Sequence, residues 1–413
     1  MRDPVAQIFG QHEAATIDQL NDVASRAERA ALMADGHVGY VMPIGGVAAY
    51  DNKVSVVGVG FDIACGNAAI RTDITLDALG DEPNERTETL RAMADEIAAT
   101  VSFGIGRSNR ADDAPTEHVL FAADAWDAVP PKERSTLRDK ARGQLGTVGS
   151  GNHYVDVFAD ESDAIWVGVH FGSRGFGYTV ASGFLALSQG KKWGERAPER
   201  EVLLDIDAPI GEDYWALMNL AGRYAYAGRE WVARKVVSLL GGRELELVHN
   251  HHNFAWKEMH DGRELIVVRK GATPAFPGQL SFVGGTMGDN SVILRGVQID
   301  DPHDPRAVDQ RAAMHSTVHG AGRVMSRTAA AGKTHRKTGR VLQAGRISPE
   351  MMHSWVREKG VILRGGGLDE APQAYRRLTD VLAAQRGTVE VVHTLRPLIV
   401  VMAGPNEFDP YKD

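Results

Sequence analysis

Four short segments of this chain repeat one design: a strand-like apolar run breaks into a Gly- or Asn-containing loop that carries a side chain able to bind a metal. They are GFDIACG, with Asp62 and Cys65; GSGNH, with His153; VHFGSRG, with His170; and HNHHN at 249–253, with His249, His251 and His252. Strand ends are rigid, which a metal site needs if its geometry is to be set in advance. If the four loops converge, the fold must bring several strand ends to one place. Side chains alternate along a strand, so at most two of the three histidines in HNHHN share a face. A mixed carboxylate, thiolate and imidazole set suits a borderline divalent ion such as Mn, Co, Fe or Zn and disfavours Ca or Mg. A thiolate can also bridge two ions. Singly, each residue has an ordinary explanation: a lone buried cysteine is a small hydrophobe, and a lone histidine at a strand edge is a satisfied core residue. Four segments of one design favour the metal.

Glycine supplies 45 of the 413 residues, about 11% against a usual 7%, and its runs fall beside the 15 histidines. Hydrophobic residues at 43% and charged residues at 24% exclude disordered and fibrous classes. The net charge of −8 excludes a generic polyanion binder, so nucleic acid would need a local basic surface. No apolar stretch approaches the roughly 20 residues of a membrane helix. The opening MRDPVAQIFGQHEAAT lacks a secretory pattern. Cys65 is the only cysteine, which rules out an intrachain disulfide and fits a reducing compartment. The expected location is cytoplasmic, with no membrane partner.

Periodicity predicts helices over 15–32, 84–101, 131–142, 179–193, 211–240, 307–330 and 370–385, the fifth broken near Gly222 or Gly228 and the sixth at Gly320 and Gly322. Strand-like runs are VSVVGVG (54–60), YVDVF, IWVGVH, ELELVHN, LIVVRKG, SVILRG, TVEVVHTL and LIVVMAG. Strands and helices mix without a strict βαβ rhythm, which predicts an α+β fold. No linker or repeat divides the chain, so residues 1–413 are read as one domain, with an N-terminal helical segment (1–32) and an extra tail (405–413).

Several nucleotide motifs fail. Gly332-Lys333-Thr334 resembles the end of a P-loop, but Arg327 stands where its first glycine belongs. No G-x-G-x-x-G, G-x-S-x-G or H-E-x-x-H is intact. Two other loops suit phosphate: HGAGR (319–323), and GGTMGDNS (284–291) with Thr286 and Ser291 as hydroxyl donors. Backbone N–H nests of this kind bind anionic oxygens without lysine, although tight turns in a Gly-rich fold look the same. Arg174 and Arg323 could clamp phosphates bidentately. The basic run Lys333, Arg336, Lys337 and Arg340 could track a nucleic-acid backbone, although such runs are more often solvated.

The segments MADGH, GVGFDIACG, GTVGSGNHYVD, VHFGSRGFG, HHNFAWKE, RKGA, GGTMG, HGAGRVMSR, EAPQAY and HTLR are numerous, collinear and unusual. Through them the chain resembles, along nearly its whole length, the RtcB family of RNA-splicing ligases in its short bacterial form. The resemblance implies a fold peculiar to that family and an RNA ligase using GTP and two manganese ions. Such enzymes join RNA ending in a 2′,3′-cyclic phosphate or 3′-phosphate to RNA with a 5′-hydroxyl, in tRNA splicing or RNA repair. Carried over, the metal ligands are Asp62, Cys65, His153, His170 and His252, with Cys65 bridging. His319 becomes the GMP-linked histidine. Guanylate contacts come from Asn152, His153, Tyr154, Val155, Asp156, His252, Asn253, Gly284, Gly285, Thr286, Met287, Ser291, His319, Gly320, Ala321 and Gly322, and from the position of Ala403. Arg174 and Arg323 are the candidates for holding RNA ends, and an archease-like activator is a possible partner.

Departures bear on the nucleotide. The family ends on a Val-Lys-Gly strand whose lysine contacts the guanine nucleotide; here the stretch reads Val401-Met402-Ala403-Gly404. A lost charge-assisted bond costs about 1.5–3 kcal/mol. Asp156 replaces a glutamate, Gly284-Gly285-Thr286-Met287 replaces Pro-Gly-Ser-Met, and Tyr40 and Val41 replace a Gly-Lys pair. Two alternatives to a full ligase follow: a paralogue that nucleotidylates RNA 3′-phosphates or opens cyclic phosphates without efficient joining, and an inactive RNA-binding protein. The intact metal-ligand set weighs against the second.

Overall fold

The structure, a computed structural model, describes residues 6–335, 338 and 340–404. Residues 1–5 of the N-terminal segment, Arg336 and Lys337 of the basic run, and the tail 405–413 lie outside them. The fold is α+β, as the mixed pattern predicts. Among the described residues two large sheets dominate. The smaller has five strands in the order Gln7–Ile8, Arg29–His37, Ile44–Tyr50, Arg263–Lys270 and Asn253–His260. The larger has eight: Leu280–Val283, Ser291–Gly296, Val389–Met402, Tyr154–Ala159, Ala164–Phe171, Gly66–Thr75 and Glu244–His251 in order, with Ile362–Arg364 pairing in parallel with Val389–Met402.

Both faces of the larger sheet are covered. Val155, Val157, Ile165, Val167, Val169 and Phe171 pack with Val232 and Val236 of the Pro209–Leu239 helix and with Leu90 and Ile97 of the Pro83–Thr100 helix. Phe158, Trp166, Val248, Phe282, Ile293 and Leu395 fill the other side. Each such side chain, fully buried, contributes about 1.5–3 kcal/mol. Strands covered on both faces read as continuous apolar runs rather than alternating ones. His170 is in phase with Trp166, so it projects onto the second, inner face. The sheet curls until its end strands meet: the Asn250 side chain accepts from Phe282 N (3.0 Å), and the Asn67 side chain donates to Phe282 O (2.8 Å).

Several predicted elements change type. The helix expected over 15–32 ends at Ala24, and Arg29–His37 is a strand with seven consecutive buried residues. Its alanines fit a helical period, but burial on both faces leaves no periodic signal to separate the two. The run 54–60 is a strand only to Ser55. Val56–Val59 make one helical turn capped by Ser55, whose Oγ accepts from Gly58 N (2.8 Å). Instead of one helix over 307–330, Pro305–Ala312 is helical, Ser316–Val318 is a strand beside Ala272–Pro274, and Arg327–Ala331 is a short helix. Met314 and His315, at φ +51° and +47°, stop the first of these. Helix 370–385 shrinks to Leu378–Ala384, and the last two expected strands are one, Val389–Met402.

The Pro209–Leu239 helix runs unbroken for 31 residues. Its glycines serve packing rather than a break. A Cβ on Gly222 would come within 2.8 Å of the Phe254 ring, and one on Gly228 within 3.4 Å of Phe171. Gly332–Thr334 is a strand paired with Val341–Ala344, so it does not open a helix as a P-loop would. No helix among the described residues is long and apolar enough to cross a membrane.

Candidate metal centre and adjoining cleft

The four loops converge. Glu244–His251 belongs to the larger sheet and Asn253–His260 to the smaller, so His252 is the single residue between strands of different sheets. Its N–H donates to Cys65 O (2.8 Å), and Asn253 N also reaches that carbonyl (3.2 Å). The Cys65 loop is thereby fastened to the junction. Asp62 fits against the next segment because position 172 is glycine: a Cβ there would lie 2.2 Å from the Asp62 carboxylate.

Two groups of donors result, Asp62–Cys65–His153 and Cys65–His170–His252, with the ligand atoms of each within 4.8 Å of one another. Cys65 belongs to both. Its Sγ is 3.7 Å from His153 Nε2 and 3.8 Å from His170 Nε2, and His153 Nε2 is 3.1 Å from Asp62 Oδ2. The remaining ring nitrogens are engaged in ways that fix the tautomers. His153 Nδ1–H donates to Val148 O (2.9 Å), and His170 Nδ1–H donates to Asn67 Oδ1 (2.7 Å). Both leave Nε2 as the donor atom, the usual arrangement behind a metal-binding histidine. Burial pushes His170 and His252 well below the usual histidine value, so both rings are neutral with lone pairs available. Burial, then the Asp62 charge, pushes the Cys65 thiol well up. Burial also acts to raise Asp62, but the hydrogen bond and charge of His153 outweigh it and hold the carboxyl below its ordinary value.

His249 and His251 are absent from the cluster. Both face the fully buried Arg229, which donates to His249 Nε2 (2.9 Å), His251 Nδ1 (2.8 Å), Ala64 O (2.9 Å) and Phe171 O (2.5 Å). The alternation expected for HNHHN thus divides structural histidines from His252.

His319 follows the Ser316–Val318 strand, and its ring packs edge-on to His252, centroids 5.0 Å apart. Its Nδ1 lies 2.6 Å from Asp35 Oδ2, and the same oxygen accepts from the N–H groups of His319 (3.0 Å) and Gly320 (3.2 Å). Burial acts to raise Asp35, yet the His319 charge and these bonds hold it below its ordinary value. With Nδ1 on Asp35, Nε2 is the ring's open nitrogen. Sequence reading missed Asp35, Asn67 and Arg229. Asp35 lies in RAALMADGH, and an acid inside an apolar strand needs a buried partner, but reading part of that segment as helix hid the signal.

Asp62, Cys65, His153, His170, His252 and His319 line a cleft of about 300 Å³ together with Asn152, Tyr154, Asp156, Asn253, Gly284 through Met287, Gly320 through Gly322 and Arg323. Ser291 stands behind it, its Oγ accepting from Gly285 N (2.9 Å). Val155 is buried in the sheet, and Ala403 is buried with its carbonyl accepting from Gly366 N (2.9 Å); Val400 and Met402 are the cleft's contacts from that strand. Burial pushes the Asp156 carboxyl well up, and its Oδ1 is buried without a partner among the described residues. Arg323 donates to Tyr375 Oη (2.8 Å) and Asp369 O (2.8 Å) and lies 3.4 Å from Glu370, so it is anchored to the wall. Arg174 lines a second cleft beyond His153.

The fold and site define an α+β protein with a Cys/His/Asp cluster at a two-sheet junction, beside a glycine-lined cleft holding an acid-paired histidine. The chain belongs to the RtcB family: the family described as tRNA-splicing ligase RtcB matches residues 16–403. It is 31% identical to the RNA-splicing ligase RtcB of Escherichia coli K12, over 90% of this chain and 89% of that protein. It is 30% identical to the tRNA-splicing ligase RtcB of Thermococcus kodakarensis, over 89% and 86%. Against the RNA-splicing ligase RtcB of Mycobacterium bovis it is 29% identical, over 89% and 95%.

Proposed function

We propose that this protein is an RNA ligase that joins 2′,3′-cyclic-phosphate or 3′-phosphate ends to 5′-hydroxyl ends, using GTP and Mn²⁺ through a GMP–His319 intermediate. The observation that carries the reading is His319, anchored by Nδ1 on buried Asp35 and packed against His252 of the donor cluster. In this scheme Nε2 attacks the α-phosphorus of GTP; the N–P bond forms, the bond to the β-phosphate breaks and pyrophosphate leaves. Asp35 balances the positive charge that develops on the ring. A 2′,3′-cyclic phosphate is first opened by water, which breaks the bond to the 2′-oxygen and leaves a 3′-phosphate, and that RNA 3′-phosphate then takes the guanylate as the N–P bond breaks. Finally the 5′-hydroxyl attacks that RNA phosphorus, a phosphodiester forms and GMP departs.

The residues fit a pair of divalent ions. Asp62, Cys65, His153, His170 and His252 would hold them, with Cys65 common to both groups. Imidazoles that burial keeps neutral, beside a carboxyl held below its ordinary value and a thiol that would give up its proton on binding, make a donor set suited to a cation. The buried His252 Nδ1, without a hydrogen-bond partner among the described residues, points the same way. When bound, such ions supply charge neutralisation on phosphate oxygens. Asp156, buried with an unmatched oxygen, suits the N–H groups of a guanine edge. RNA, including tRNA, is the proposed partner, and an archease-like activator belongs to the same reading.

Intact-mass measurement after incubation with GTP and Mn²⁺ tests this, with His319→Ala and an ATP control. The expected result is one guanylate on the wild type and none on the variant. An adenylate instead would mean that base preference has changed from guanine. No adduct with either nucleotide, with or without an activator, would overturn the reading. Guanylation followed by unjoined, activated RNA ends would favour the nucleotidylating paralogue.

A further inference from the structure

The stretch from Arg327 to Arg364 holds nine lysines and arginines against two glutamates, in a chain whose net charge is −8. A cationic block in an acidic protein concentrates positive potential at one place on its surface. It folds as the Arg327–Ala331 helix, the paired strands Gly332–Thr334 and Val341–Ala344, and the Pro349–Glu358 helix. On its inner side Ala330, Ile347, Met352 and Val356 pack with Met287, Val400 and Met402, which line the first cleft. Arg327 lines that cleft too, and Ala329 O and Ala330 O accept from Arg346 N (2.9 Å) and Ile347 N (3.1 Å). The base of the hairpin is thereby fixed beside the cleft.

The outer side is different. Every residue of Val341–Ala344 is exposed, Val341 by 65%. A two-stranded hairpin is marginal by itself, and a strand that buries neither face adds little to its stability. Two of the block's cations are neutralised: Arg327 by Asp369 (3.1 Å) and Glu370, and Arg364 by Asp95 (2.6 Å). Lys333, Arg340, Arg346, Arg357 and Lys359 are exposed and have no carboxylate partner among the described residues. Arg357 donates to the uncharged Ser354 Oγ (3.0 Å), and the Lys359 ammonium lies 5.0 Å from the Trp355 ring centroid. Five unneutralised cations on adjoining elements repel one another, and a polyanion relieves that repulsion. We propose that this hairpin and the adjoining Pro349–Glu358 helix hold the body of the RNA, gripping backbone phosphates outside the cleft while the reacting end lies within it. The inference rests on the RNA-ligase reading and goes beyond it, since none of the five cations lines either cleft. Phosphate contacts carry no sequence information, so the surface accepts RNAs of unrelated sequence.

Fluorescence anisotropy over a KCl series in MnCl₂ tests it, with a labelled single-stranded RNA of about 20 nucleotides ending in a 3′-phosphate and a tetranucleotide with the same end. One variant combines Lys333→Ala, Arg340→Ala and Arg346→Ala. A second combines Lys53→Ala, Lys132→Ala and Arg223→Ala, which are exposed elsewhere and remove the same charge. Each phosphate contact to a single strand adds about 0.7 to the slope of log affinity against log salt. The first variant is therefore expected to lower the slope for the longer RNA by about 2, and to bind the tetranucleotide as wild type does. The second should keep the wild-type slope. Intact mass after GTP and Mn²⁺ is expected to show the guanylate on the first variant as on wild type. An unchanged slope in the first variant, or an equal fall in both, would overturn the surface while guanylation keeps the ligase reading in place; an unchanged slope would assign the hairpin to an acidic protein partner instead. Loss of the guanylate in the first variant would also overturn it, by making the hairpin a support of the nucleotide site. A wild type that binds neither RNA and takes no guanylate would overturn both readings.

Discussion

Asp35 shows how one residue sets the chemistry of another. A fully buried carboxylate is costly unless every lone pair is matched. Here Oδ2 gathers the His319 ring and two backbone N–H groups, while Oδ1 is buried without a hydrogen-bond partner among the described residues. That arrangement fixes which ring nitrogen is open and holds the loop that begins HGAGR. Asp35→Asn keeps the size and removes the charge, so the ring loses both its orienting acceptor and its counter-charge. The expected outcome is a guanylation rate about a hundredfold lower, with GTP affinity little changed. Single-turnover labelling with radioactive GTP measures it, and a rate near wild type would contradict the role. The donors themselves were legible in the sequence, because cysteine, histidine and aspartate in Gly-bounded loops are chemically distinctive. Their supports were not. Asn67 and Arg229 look ordinary until the fold shows what they touch.

At the scale of elements, the long helix, the Tyr154–Ala159 and Ala164–Phe171 strands and the Pro83–Thr100 helix were readable from apolar patterning. Arg29–His37 and Val56–Val59 were not, since residues buried on every side carry no period. Gly222 and Gly228 signalled contact with the sheet rather than an interruption. Arg229 ties the long helix to both segments flanking the cluster, through Ala64 O and Phe171 O. Burial lowers its guanidinium to about 10, and its hydrogen-bond partners among the described residues are imidazoles and carbonyls rather than carboxylates. Arg229→Met would strand two carbonyls and two imidazoles, at about 1–3 kcal/mol for each group left unsatisfied. We expect a loss of roughly 3 kcal/mol or more in urea unfolding, well beyond that of a surface Arg→Met substitution. A change under about 0.5 kcal/mol would show that water or repacking satisfies those groups.

For the whole molecule, the concentration of buried histidines predicts acid sensitivity. Burial holds His249 at about 3 and His37 at about 4, and His170, His251 and His252 well below the usual value. In the unfolded chain each takes up a proton near pH 6.5. Below that pH the unfolded state binds more protons than the folded one, so acid favours unfolding. The stability associated with these neutral rings is fully present above about pH 6.5 and declines as pH falls toward their folded values. Asp35, held below its usual value, adds a further loss under about pH 4. The urea midpoint of chelator-treated protein should fall continuously from pH 7 to pH 5. A flat profile over that interval would contradict neutral burial of the cluster.

The seam at Phe282 matters beyond the site it encloses. An open sheet presents rows of unpaired N–H and C=O groups that can recruit a strand from another chain. Where Asn250 and Asn67 fasten the Leu280–Val283 strand, two otherwise available borders are spent on each other. The apolar stretches that build this sheet, VILRG and LIVVM among them, would be aggregation-prone in isolation. Two asparagine side chains thus act as a clasp, and opening it would turn an enzyme's inner wall into a template for fibrillar stacking.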